Sequence, residues 1–292
     1  MEITIEGALK RASFCLREAG IANPRSEAEL MLAAVLNTDR LRVVTAQPAL
    51  LEEADCRRFE EALKRRASLE PLAYISGEKY FFGRRFLVNR KVLIPRPETE
   101  LLVEEALRWL KESAFGNEKS LRILDLGTGS GNLAITMALE LPSAEVWAVD
   151  LSPAALQVAR QNVSLYRLEE RVKIIEGSYF DSLEDHFPTP RFNLIISNPP
   201  YISQAELGEL PPSVAAYEPR EALDGGVDGL DSYRVILNKL PAFAGHQTLV
   251  IVEIGSTQEP AVIKLFKRRG IFRVIGCRRD LANHPRLIFG LL

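Results

Sequence analysis

The spacing of apolar positions changes once along this chain of 292 residues. Through about residue 70 they recur every three or four residues, the period of helices with one buried face. Ile5 to Ala19 carries Ala8, Phe14, Cys15 and Leu16 on its predicted apolar side. Ser26 is predicted to cap a second helix, with Glu29 completing a capping box and Leu30, Met31, Ala34 and Val35 following. A third helix is predicted from Leu51 to Leu69, with its stripe at Ala54, Phe59, Ala62 and Leu63. Its basic end, Lys64-Arg65-Arg66, reads as a solvated terminus, with an RNA or ribosome contact as the alternative. Residues 71–91 read as a β-hairpin connector punctuated by Gly77 and Gly83. A proline-fixed arm, Val92 to Glu100, then leads into a helix predicted from Glu98 to Ala114.

Beyond the arm, short apolar runs alternate with helical stretches, which predicts an α/β fold with a mainly parallel sheet. The predicted strands are Ile123 to Leu126, Val146 to Asp150, Lys173 to Glu176, Leu194 to Ser197, Leu249 to Glu253, Phe272 to Cys277 and Leu287 to Leu291. Three segments follow: a helical recognition domain (1–70), the connector (71–91) and an α/β domain (92–292). The stretch from Ile202 to Ser232 is long and rich in Pro and Gly, and reads either as a lid over a substrate or as a partly helical surface excursion.

Candidate chemistry gathers where predicted strands end. Gly127-Thr128-Gly129-Ser130-Gly131 follows the first strand of the α/β part and opens a helix, so backbone N–H groups can approach a ligand closely. Asp150 closes the next strand, where doubly wound folds place a carboxylate on ribose hydroxyls. A nicotinamide-binding domain competes with this reading, but its fingerprint wants a glycine or alanine where Asn132 stands. A loop without a close pyrophosphate suits a nucleoside with a short zwitterionic tail. Asp125 reads as a residue that orders the glycine loop.

Asn198-Pro199-Pro200-Tyr201 follows the apolar run Phe192 to Ser197. Each proline fixes its own φ, restrains the residue before it and lacks an N–H. The stretch therefore presents acceptors: the Asn198 side-chain oxygen and neighbouring carbonyls. Two acceptors facing an –NH2 group hold both its hydrogens and aim its nitrogen at an electrophile. Tyr201 fits as a wall against a planar group, and the plain alternative is a proline-rich strand end with a packed tyrosine.

The glycine loop, Asp150 and Asn-Pro-Pro-Tyr together resemble the class I S-adenosylmethionine-dependent methyltransferases that alkylate an amino group conjugated to a π system. That resemblance implies a Rossmann-like seven-stranded sheet with helices on both faces and one antiparallel strand. The arm Ile94-Pro95-Arg96-Pro97-Glu98-Thr99-Glu100, ahead of that loop and behind a helical N-terminal part, narrows it. This order is similar to the release factor glutamine methyltransferases, the HemK family, over nearly the whole chain. Glutamine methyltransferases of a ribosomal protein share Asn-Pro-Pro-Tyr but lack the full arm. The resemblance implies S-adenosylmethionine as cofactor, held by Gly127 to Gly131, Asp150 and Tyr179, with Asn198 touching both cofactor and substrate. It implies Asn198, Pro199, Pro200 and Tyr201 as the catalytic stretch and the glutamine of the Gly-Gly-Gln loop of peptide chain release factors as substrate. Ser178 stands where such enzymes commonly carry an aspartate for the adenine amino group, and Tyr179 where they often carry a tryptophan. A nucleic-acid amino methyltransferase and a non-catalytic adaptor remain as alternative classes.

Composition narrows this further. A net charge of −2 disfavours a stable nucleic-acid partner, because phosphate binding needs a basic face. No apolar run approaches a membrane span, and the N-terminus lacks the layout of a signal peptide. Cys15, Cys56 and Cys277 form no C-x-x-C pair, which suits a reducing, cytoplasmic setting. His186, His246 and His284 show no metal-ligand spacing, so no metal is expected.

Overall fold

The computed structural model describes residues 3–46, 48–112, 121–183 and 191–292. His186, the side chain of His246 and the predicted helix end at Ser113 and Ala114 lie outside the described residues. The chain divides into two compact units, Met1–Glu78 with Pro211–Tyr217, and Lys79–Leu210 with Glu218–Leu292.

In the first unit, α1 (Ile5–Glu18), α2 (Pro24–Val35), α3 (Arg40–Thr45), α4 (Glu53–Ala67) and α5 (Leu72–Ser76) enclose a core that includes Leu9, Leu16, Met31, Leu32, Phe59 and Leu63. Phe14 departs from the predicted stripe and is 61% exposed. The ladder Ile5, Leu9, Ala12, Leu16 already occupies the inward face of α1, and Phe14 falls well round the helix from it. Ser26 does not cap α2. The helix begins at Pro24, whose fixed φ and missing N–H suit a first helical position, and Asn23 precedes it in left-handed geometry. Glu29 is buried and turns to Arg25 and Arg40, at 2.7 and 2.8 Å, while Leu30 and Ala54 are exposed.

The basic end of α4 is also not simply solvated. Arg65 clasps the buried Glu70 with two hydrogen bonds of 2.8 and 2.9 Å, and Arg66 reaches Glu27 at 2.5 Å. Two of the three cations are thus committed within the unit. The sequence pattern does not announce α3 and α5; both are too short to show a helical period, and α5 replaces the first part of the expected hairpin.

The second unit opens with a two-stranded sheet, β1 (Glu78–Phe81) and β2 (Arg84–Leu87). Residues Pro97–Thr99 form a 3₁₀ turn, so the helix after the arm, α6 (Glu100–Glu112), starts two residues later than expected. The main sheet comprises β3 (Arg122–Leu126), β4 (Glu145–Asp150), β5 (Val172–Glu176), β6 (Phe192–Ser197), β7 (Ala244–Glu253), β8 (Val274–Arg279) and β9 (Pro285–Leu291). Their order is β5-β4-β3-β6-β7-β9-β8, and β9 runs antiparallel to both its neighbours. This is the Rossmann-like α/β sheet that the sequence predicts, with one antiparallel strand.

Both faces of the sheet are apolar. Ile123, Leu194, Ile196, Leu249 and Ile251 point into one core, with α6, α7 (Asn132–Glu140) and α8 (Pro153–Leu165) against it. Leu124, Ile195, Val250 and Val252 point into the other, under the helices Asp231–Phe243 and Glu259–Arg269. That period of two, buried on both sides, makes the strands read as continuous apolar runs. The small sheet joins the first core through Phe81 and Phe86, whose rings meet edge to face at 6.1 Å. The buried Asn162 of α8 accepts from Leu87 N at 2.7 Å and donates to Leu87 O at 3.0 Å and Ser130 O at 2.8 Å. The hairpin and the glycine loop are therefore stapled to one side chain.

Strand order reverses across β3, from which the chain runs to β4 on one side and pairs with β6 on the other. Register brings Leu126 level with Val149 and with Ser197, so the ends of β3, β4 and β6 open on one edge. Phe86→Ala, which empties a fully buried ring site, is expected to lower unfolding stability by about 3–5 kcal/mol in denaturant titration.

Candidate active site

The turn after β3 is built around a buried carboxylate. Asp125 is fully inaccessible, and its Oδ2 accepts from Thr128 Oγ1 at 2.6 Å and from Ala134 N at 3.1 Å. Burial pushes this carboxyl from its ordinary value of 3.8 up to about 7. The turn is also held by the N–H groups of Gly127 and Thr128, which both donate to Val149 O at 2.9 Å. Gly127 and Gly129 adopt φ of 74° and 55°, a region that glycine enters without strain. Gly131, at φ 80°, matters for a different reason, since a Cβ there would lie 3.1 Å from Ile135 Cδ1 and 3.4 Å from Ala159 Cβ. Its bareness lets α7 and α8 approach each other.

Asp150 faces the turn from the end of β4. Its Oδ2 accepts from Gly129 N at 2.8 Å and its Oδ1 from Ser152 N at 2.9 Å. Desolvation raises its pKa, while the two N–H donors act in the opposite direction. Each oxygen keeps lone-pair capacity for a further donor.

A cavity of about 510 Å³ opens over these strand ends. Gly127, Thr128, Gly129, Ser130 and Asp150 line it on the loop side, and Ser178 and Tyr179 beyond the end of β5. Asn198 and Pro200 line it from the end of β6, and the arm contributes Pro95, Arg96 and Thr99. Pro219, Glu221 and Ala222 enter from the long 202–232 segment, which is folded into short helical turns and pairs Ile202 with Asp224. Gly131 and Tyr201 do not line it, and Pro199 is buried between Asn198 and Pro200, which do. Tyr201 packs against the core beneath the helix Asp231–Phe243, and burial pushes its hydroxyl pKa up.

Thr99, from the arm motif, and Glu253, outside every motif, are linked to Asn198. The Asn198 Nδ2 donates to Thr99 Oγ1 at 3.1 Å, and that hydroxyl donates to Glu253 Oε2 at 2.6 Å. Glu253 is 2% exposed at the end of β7, and burial raises its carboxyl from 4.5 to about 7. Its one signal in the sequence is position, an acid closing a buried apolar strand. The arm is fixed a second time by Glu218, whose buried carboxylate accepts from Arg96 Nη2 at 2.5 Å and from Ile94 N at 3.2 Å.

Known proteins resemble this chain over most of its length. A PrmC N-terminal domain model matches residues 7–77, and a methyltransferase domain model matches residues 117–287. The release factor glutamine methyltransferase of Geobacter sulfurreducens is 43% identical over 270 residues, covering 91% of this chain and 89% of the relative. The chain belongs to the release factor glutamine methyltransferase family. A bifunctional methyltransferase of Rickettsia conorii is 35% identical over 307 residues, which take in 99% of this chain; the chain spans 58% of that protein's length. Among solved structures, the hMettl16 catalytic domain bound to an RNA hairpin has a TM-score of 0.55 at 14% identity, covering 85% of each chain. That is a likeness of fold, the class I methyltransferase fold.

Class I methyltransferases take their methyl group from S-adenosylmethionine, and the residues here fit it. An open face lies over Gly129, where an added Cβ would meet nothing within 4 Å, and Asp150 has acceptor capacity beside it. Among the described residues no group of three or more His, Cys, Asp or Glu gathers, and no helix is long and apolar enough to cross a membrane.

The two raised carboxyls give a pH dependence with a definite sign. From their ordinary values of 3.8 and 4.5 up to about 7, folded Asp125 and Glu253 hold protons that the unfolded chain releases. The stability they contribute is full below that window and is lost as pH rises through it. Asp125→Asn is expected to flatten part of this decline in denaturant titrations between pH 4.5 and pH 8, leaving the Glu253 share.

Proposed function

We propose that this protein methylates the side-chain amide nitrogen, N5, of the glutamine in the Gly-Gly-Gln motif of peptide chain release factors. The reading is supported most by one observation: Asn198 lines the same cavity as the glycine turn and Asp150, within a chain of the release factor methyltransferase family. A primary amide is a poor nucleophile because its nitrogen lone pair is delocalised, so the site must work by positioning and electrostatics. S-adenosylmethionine supplies a sulfonium methyl group whose transfer leaves a neutral thioether.

Asn198 Oδ1 and the Pro199 carbonyl accept the two amide hydrogens and aim the nitrogen along the methyl axis. Neighbouring carbonyls are otherwise engaged: Pro200 O accepts from Ser232 Oγ at 2.9 Å, and Tyr201 O from Gln258 Nε2 at 2.9 Å. As the N–C bond forms and the S–C bond breaks, positive charge grows on nitrogen and both acceptors bind it more strongly. The nitrogen then loses a proton to water, so no side-chain base is required. Asp150 takes the ribose hydroxyls, and Tyr179 with Ser178 lies where the adenine is read.

Asp150→Ala is expected to weaken S-adenosylhomocysteine binding about ten- to a hundredfold in calorimetry, as loss of charge-assisted hydrogen bonds does. Asn198→Ala is expected to slow single-turnover methyl transfer by roughly 10²–10³-fold, with a smaller change in cofactor affinity. The substrate is tested with tritiated methyl donor, intact release factor, its Gln→Ala form in the Gly-Gly-Gln motif, and structured RNA. Label confined to the intact factor supports the assignment; label in RNA, or undiminished label in the Gln→Ala factor, rejects it.

A further inference from the structure

An asparagine amide is nearly symmetric in shape, and its oxygen and nitrogen exchange places on a half-turn of the side chain. At Asn198 the two orientations are chemically opposite. With Oδ1 in the cavity the residue accepts from an incoming –NH2 group; with Nδ2 there, two donors face two donors. Shape alone does not choose between them. Resting on the amide-methylation reading above, we propose that Thr99 and Glu253 are positioning residues that set the polarity of the Asn198 amide, holding its acceptor toward the methyl-transfer cavity.

The geometry fixes the direction of each hydrogen bond in turn. A threonine hydroxyl has one hydrogen. Thr99 gives it to Glu253 Oε2 at 2.6 Å, the shorter contact, so at 3.1 Å Thr99 Oγ1 can serve Asn198 only as an acceptor. Nδ2 is the donor it receives. The flipped amide would set Oδ1 against a hydroxyl oxygen with no hydrogen to give, and that arrangement is disfavoured in a buried setting. The carboxylate at the end of the relay is therefore the source of its direction. Topology delivers it there, since β6 and β7 pair with Ser197 level with Val252, which brings Asn198 and Glu253 to adjacent strand ends. Thr99 comes from the arm turn and borders the same cavity as Asn198.

Other groups press on the Glu253 carboxyl from every side. Tyr201 beyond β6 and Arg286 on β9 favour its charged form, and Glu98 in the arm opposes it. Tyr233 donates its hydroxyl to the Glu253 backbone oxygen at 2.9 Å, which anchors the strand end. Burial outweighs these and puts the carboxyl at about 7. Once protonated, Glu253 can donate to Thr99, which frees the Thr99 hydrogen to turn toward Asn198 and removes the bias. The relay is thus expected to work best above neutral pH.

The test has a spectroscopic arm and a kinetic arm. The Asn198 side-chain amide pair is assigned in ¹⁵N–¹H spectra by its loss in Asn198→Asp, with no cofactor or substrate present. In the wild type this pair should shift as pH passes through about 7. In Glu253→Gln it should not titrate, and in Thr99→Val it should be displaced at every pH. In kinetics, Thr99→Val should lower kcat about tenfold, the scale of one lost hydrogen bond. KM and S-adenosylhomocysteine affinity should stay within about twofold, and Thr99→Ser should restore kcat. Glu253→Gln should abolish the rising limb of kcat near neutrality. An amide pair that ignores pH in the wild type, or unchanged kcat in Thr99→Val, overturns the proposal. If the wild type methylates no release factor, the substrate assignment fails on its own account, and the amide titration still decides the relay.

Discussion

A carboxylate removed from water must have its hydrogen bonds brought to it, and the Asp125 side chain imposes that demand at the centre of the α/β unit. Its Oδ2 draws in the Thr128 hydroxyl and the Ala134 N–H, which binds the glycine turn to the first turn of α7. The turn so fixed then points the Gly129 N–H at Asp150. Two acids at the ends of adjacent strands are thereby set at a defined separation through a backbone amide between them. The cost of burying Asp125 appears as its raised pKa, and the result is a loop whose donors are aimed before any ligand arrives.

The same logic of acceptors dictating geometry recurs in the helical unit, where a small core is supplemented by directed ion pairs. Glu29 and Glu70 are buried, and each is met by arginine: Glu29 by Arg25 and Arg40, Glu70 by Arg65. Arg66 joins α4 to Glu27 on α2. Such pairs add little net stability but penalise alternative packings that would strand a charge. They fix which faces of α2, α3 and α4 meet in a unit where Phe14 and Leu30 remain in contact with solvent.

How far the sequence can be read follows from where the information lies. Strands buried on both faces, such as Leu194 to Ile196 and Leu249 to Val252, announce themselves because every position must be apolar. The glycine turn and Asn198-Pro199-Pro200 are legible because few residue types can occupy them. What stays hidden depends on partners distant in sequence. Nothing local at Thr99 or Glu253 tells of Asn198, since these meet only after β6 and β7 pair. The surroundings of Tyr201 are hidden for the same reason: the core it packs against is assembled by helices outside the motif. Phe14 and Ser26 mislead because a large apolar residue and a capping-box spacing are local signals, which the inward ladder of α1 and the proline at the start of α2 override.

Asn162 gives the connector a meaning beyond linkage. One amide holds both backbone groups of Leu87 in the hairpin and the carbonyl of Ser130 in the glycine turn, and its own stem is locked in α8. A planar amide has little slack, so displacement at one end must be absorbed by that side chain or passed to the other. The hairpin and the floor of the cavity therefore share a mechanical tolerance. A change of length around β2 would thus be felt at the glycine turn through a hydrogen bond, without any contact between β2 and a ligand.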